Sequence, residues 1–61
     1  MTRNQRLILM HGIMNRFALI LEDVKDLNED KYDKDLADIF IRLEKVYNDL
    51  KDKIRKEEDQ A

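Results

Sequence analysis

The sequence predicts an all-α protein: an antiparallel helical hairpin of two long helices, paired with a second copy into a homodimeric four-helix bundle. Three observations lead there. The 61 residues hold no proline, serine or cysteine and one glycine, but much Leu, Lys, Asp and Glu, a composition that favours long helices. Two segments repeat apolar side chains at alternating spacings of three and four, the rhythm of a packed helical seam. Between them the stretch LNEDKYD is short and polar, so the two helices it joins run antiparallel.

The whole chain reads as one hairpin domain, with a helix over about 4–27, a turn at 28–30, a helix over about 31–56 and a frayed tail at 57–61. In the first helix Leu7, Met10, Met14, Phe17, Leu21 and Val24 form the seam. Ile13, Ile20 and Leu27 add a flanking row that widens the stripe to the breadth a bundle helix needs. The second helix repeats the pattern with Tyr32, Leu36, Ile39, Leu43, Val46 and Leu50, and with Phe40, Tyr47 and Ile54 alongside. In the turn, Asn28 is expected to end the first helix in a left-handed conformation. Asp30 is expected to cap the second, with Asp33 adding negative charge to its first turn.

A chain of this length sits near the limit of independent stability, and small domains escape that limit with disulfides, metals or association. Without cysteine, association remains, and a homodimer buries the second edge of both stripes. Antiparallel packing also brings the basic start of helix 1 near Asp52, Glu57, Glu58 and Asp59. Whether the two hairpins lie parallel or antiparallel is open at this stage.

The net charge of −2 conceals a polarity. Residues 1–20 carry Arg3, Arg6 and Arg16 and no acid, whereas residues 21–38 carry eight acids against three lysines. Residues 39–61 hold six of each sign. Three arginines are too few for duplex binding, which gains affinity from many phosphate contacts, so nucleic acid is not the expected partner.

The run LILMHGIMNRFALIL at residues 7–21 resembles a signal-peptide core after a basic start. Arg16 interrupts it, no small-residue cleavage site follows, and a span needs roughly 20 largely uncharged residues. Lying flat on anionic lipid is opposed by Glu22, Asp23 and Asp26. The expectation is a cytoplasmic protein that does not engage a membrane.

Catalytic constellations are nearly absent. There is no Ser or Cys nucleophile, Thr2 falls in a terminus expected to fray, and His11 is the single histidine, read as a rim residue beside Asn15 and Glu22. The string Asp26-x-Asn28-x-Asp30 opens like a calcium loop, but Lys31 stands at its glycine position and Ala37 at its bidentate glutamate position. Neither a cofactor nor a metal is expected, and enzymatic activity is not.

Surface features then carry any function. The first is the acidic turn end, Glu22, Asp23, Asp26, Asp30, Asp33, Asp35 and Asp38, fit to steer a basic partner, including a nucleic-acid-binding surface. The second is apolar residues off the stripe: Ile8 and Leu19 near Gly12, and Ile41 on helix 2. The leading expectation is a non-enzymatic interaction module that binds another protein and modulates or inhibits it. The alternatives are an RNA-binding dimer using Arg3, Arg6 and Arg16, and a structural adaptor in a larger assembly.

In kind, the chain resembles two groups of small bacterial and phage proteins. Phe17, Ala37-Asp38-Ile39 and Leu43 can be laid against the Rop family of plasmid copy-number regulators, which implies a dimer of helical hairpins that binds RNA. The chain also resembles small acidic helical antirepressors and host-takeover inhibitors, which implies occlusion of a DNA-binding or enzymatic site. The positions shared with the Rop family are generic bundle positions, and no functional residue is carried over from either group.

Overall fold

Thr2 sets the start of the fold. In the computed structural model, which describes residues 1–60, the Thr2 hydroxyl accepts from the Gln5 amide at 3.1 Å. Gln5 Oε1 accepts in return from the Thr2 amide at 2.8 Å. This reciprocal capping box satisfies two amides that a helix start otherwise leaves unpaired. The end expected to fray is instead the N-cap of α1, Arg3–Asp30.

The turn lies three residues later than the sequence pattern places it. α1 continues through Asn28 to Asp30, and Lys31 leaves the helix in an extended conformation with φ −144°. No described non-glycine residue has a positive φ, so Asn28 does not end the helix in the left-handed region. Its side chain does a different job: Oδ1 accepts from the Asp33 amide at 2.7 Å, tying the last turn of α1 across the connection.

Asp33, not Asp30, is the N-cap of α2, Lys34–Asp59. Its Oδ1 accepts from the amides of Asp35 at 2.8 Å and Leu36 at 3.4 Å. The shift has one physical cause. Asn28 reaches across the turn only if α1 carries it round to face α2, and Asp33 is then the acid positioned to cap. Tyr32, expected within the second seam, therefore sits in the connection and is exposed. Glu57 to Asp59 are helical rather than frayed, and the Gln60 amide closes the helix on the Glu57 carbonyl at 3.4 Å. Ala61 lies outside the described residues.

The two helices pack along one seam. On α1 it is the expected one: Leu7, Met10, Met14, Phe17, Leu21 and Val24 are all half-buried, and Asn28 continues the row. On α2 the inward row is Leu36, Phe40, Leu43, Tyr47, Leu50, Ile54 and Glu57. Ile39 and Val46, expected in this seam, are 44% and 47% exposed, while Phe40 and Tyr47 take their places. Both rows of α2 are apolar at seven-residue spacing, so periodicity alone leaves the choice open, and the partner helix decides it.

Among the described residues only Ile54 is buried, at 3% exposure. The hairpin is a rod of 45 × 15 × 14 Å with a radius of gyration of 14.2 Å. A compact domain of this length measures about 10.5 Å. The seam is a line of half-covered side chains, not an enclosed core.

Candidate protein-interaction surfaces

The two ends of the rod differ in how their charge is used. At the open end the basic start of α1 meets the end of α2, as the charge pattern predicts. Arg6 Nη2 lies 2.7 Å from Glu57 Oε1, and Lys53 Nζ approaches the same oxygen at 3.7 Å. Arg3 Nη2 donates to the Glu57 and Glu58 carbonyls at 2.6 and 3.0 Å. Those carbonyls belong to the last turn of α2, where a cation answers both unpaired oxygens and the helix dipole. The Arg6 hydrogen bond holds the Glu57 carboxyl below the usual glutamate range, and the same bond raises the Arg6 pKa.

His11 sits at the rim of α1, half-buried and one helical turn from Asn15, and its Nε2 also lies 3.5 Å from Glu58 Oε1 across the hairpin.

At the turn end the acids are largely unspent. Among the described residues, Glu29 alone of the eight carboxylates at 22–38 has a basic side chain within 4.0 Å, that of Lys25. Asp33 is committed to capping. Glu22, Asp23, Asp26, Asp30, Asp35 and Asp38 remain exposed and without ion pairs. The calcium-like string Asp26, Asn28 and Asp30 lies on continuous helix, which fans its side chains round the axis rather than converging them. Among the described residues no group of three or more His, Cys, Asp or Glu side chains is placed to hold a metal ion.

At the same end lies an open groove of about 330 Å³ between the helices, and the one carboxylate in its lining is Glu29, the acid that Lys25 approaches. Val24, Ala37, Phe40 and Ile41 give it an apolar floor, and Lys25, Asn28 and Glu29 edge it. Ile41, singled out from the sequence as an outlier, is thus part of a shaped feature; Ala37 and Phe40 were not picked out as site residues, because both also fit a seam.

Ile8 and Leu19 do not join this site. They are 70% and 61% exposed on the outer side of α1. Twenty-two residues of helix, about 33 Å at 1.5 Å per residue, separate Ile8 from Asp30. Gly12 lies between the two, and a Cβ added there meets nothing within 4 Å.

The hairpin has two distinct broad sides, and the ion pairs mark them. Arg6 and Lys53 converge on one oxygen of Glu57, so they share a side. Steps of seven carry Arg6 to Ile13, Ile20 and Leu27, and Lys53 back to Val46, Ile39 and Tyr32. These two rows run next to each other and make one side apolar. His11 and Glu58 mark the opposite side, where Ala37, Lys25 and the groove also lie.

No known protein family, curated protein or solved structure matches the chain. No helix among the described residues is long and apolar enough to cross a membrane.

Proposed function

We propose that the chain is a non-enzymatic interaction module that docks on another protein through the turn end of its hairpin and modulates or blocks it. The observation that carries this reading is the pairing of unspent carboxylates with an apolar groove. Glu22, Asp26, Asp35 and Asp38 steer a basic surface at long range. Val24, Phe40 and Ile41 then accept one apolar side chain of the partner at short range. The open end differs: Arg3, Arg6 and Glu57 are spent within the hairpin, and the groove beside Met14 and Ile54 is edged by both signs, Lys51 and Arg55 with Glu58 and Asp59. The same pairing disfavours an RNA-binding role, because Arg3 and Arg6 are engaged by α2. The reading is that of a cytoplasmic regulator or inhibitor of the antirepressor type.

The test is affinity capture from a bacterial lysate, with three variants beside the parent chain. Asp30→Asn/Asp35→Asn/Asp38→Asn removes steering charge while keeping the Asp33 cap. Ile41→Lys fills and charges the groove, and Ile8→Lys probes the distant end. One dominant protein retained by the parent and by Ile8→Lys, but lost by the other two, supports the reading. Equal capture by all four, or loss with Ile8→Lys alone, overturns it.

A further inference from the structure

The groove uses one broad side of the hairpin. The other, formed by Ile13, Ile20 and Leu27 of α1 with Ile39 and Val46 of α2, is apolar and exposed. We propose that this side seats a second copy of the chain, with the turn of one hairpin beside the open end of the other and Ile20 and Val46 nearest the two-fold axis.

The area argues for a partner of this size. A compact monomer of 7.4 kDa exposes about 4,200 Å², whereas this chain exposes 5117 Å². The surplus of about 900 Å² is close to the roughly 800 Å² that each partner contributes to a standard stable interface. A flat two-helix layer with one apolar side reaches native burial by stacking on another such layer.

The charges at the rim argue for a second copy and fix its direction. Residues three further on from the apolar rows flank them on the same side. On α2 these are Asp35, Arg42, Asp49 and Lys56, a row whose signs alternate. Read against itself in the opposite direction, the row is self-complementary: Asp35 meets Lys56 and Arg42 meets Asp49 of the other copy. On α1, Arg16 likewise meets Asp23 of the other copy. Placing both turns at one end instead sets α2 against α1, and Asp35 then faces Asp30. That arrangement also stacks two acidic turn ends, each with a balance of eight acids to three lysines. Like charges so placed disfavour it. This interface is on the side away from the groove, but Asp35 serves both its rim and the steering of a partner, so variants at Val46 and Ile41, which each touch one side alone, separate the two readings.

The chain has no cysteine, so a single Val46→Cys variant gives a clean readout. Under mild oxidation it is expected to form a covalent dimer, while Ile41→Cys on the groove side stays reduced. Sedimentation of the parent chain at micromolar concentration is expected to give twice the 7.4 kDa chain mass. Arg42→Asp should weaken the dimer by roughly five- to tenfold, given what exposed ion pairs contribute. Adding Asp49→Arg should restore it, because the rim row is then complementary again with both signs exchanged. A folded monomer at micromolar concentration, or cross-linking by Ile41→Cys and not by Val46→Cys, overturns the interface. Failure of Asp49→Arg to restore the dimer overturns the turn-to-open-end direction.

Discussion

The Arg6 guanidinium and the Glu57 carboxylate meet at 2.7 Å across 51 residues of chain, fastening the first turns of α1 to the last turns of α2. The bond is also the reason Glu57 can occupy an inward position in the α2 seam, where its side chain is only 15% exposed. A glutamate there without a cation would leave an unpaired carboxylate in a largely covered position.

This pair makes stability depend on acid. The folded-state pKa of Glu57 is depressed, chiefly by the Arg6 hydrogen bond. Its contribution is therefore present above the unfolded glutamate pKa and is lost as pH falls through the lower, folded value. Thermal unfolding followed by circular dichroism should show this loss on acidification below about pH 4. Glu57→Gln should start from a lower melting temperature and lack that component of the pH dependence.

The turn assignment has its own consequence. Asp33→Ala removes the side chain that accepts from Asp35 and Leu36, and should cost about 1 kcal/mol by urea unfolding. Asp30→Ala, at the cap position read from the sequence, should change stability by no more than about 0.5 kcal/mol. Equal losses would contradict the observed start of α2.

Burial ranks the apolar residues. Ile54→Ala truncates the one buried side chain among the described residues and should cost about 2–5 kcal/mol. Ile8→Ala, on the exposed face of α1, should stay within about 0.5 kcal/mol of the parent. Denaturant midpoints of the two variants decide the matter.

Gly12 is open to improvement. It sits within α1, and a Cβ there meets no other atom. Gly12→Ala should raise stability by about 0.5–1 kcal/mol through helix propensity alone. A loss instead would mean that the position is covered in the assembled protein.

Much of this fold was legible in the residues, and unevenly so. On α1 the seam from Leu7 to Val24 could be read from its unbroken alternation of three and four, although Ile8 and Leu19 leave the outer side partly apolar. On α2 two apolar rows compete. Ile39 and Val46 against Phe40 and Tyr47 differ by one residue in phase, and only the position of α1 separates them. The turn misled for a similar reason. Asp30, Asp33 and Asp35 are all plausible caps, and the choice depends on the Asn28 bond to the Asp33 amide, a contact five residues apart that local propensity does not encode. Of the candidate site, the acids were visible as a charge run and Ile41 as an exception. The groove was not, since its lining comes from two helices, Val24, Lys25, Asn28 and Glu29 on one and Ala37, Phe40 and Ile41 on the other.

The groove and the apolar side face away from each other, so a dimer paired as proposed would act as a connector. Pairing two copies through the apolar sides leaves both grooves uncovered, pointing outward at opposite ends of the rod. Such a particle offers two equivalent heads, each able to hold a target independently. A monomeric target gains nothing from the second head. A target that is itself paired, or repeated along a filament, is held by both at once, and the second attachment proceeds at an effective concentration on the order of millimolar when the spacing fits. Geometry of the target, more than the strength of one groove, then decides which protein is retained.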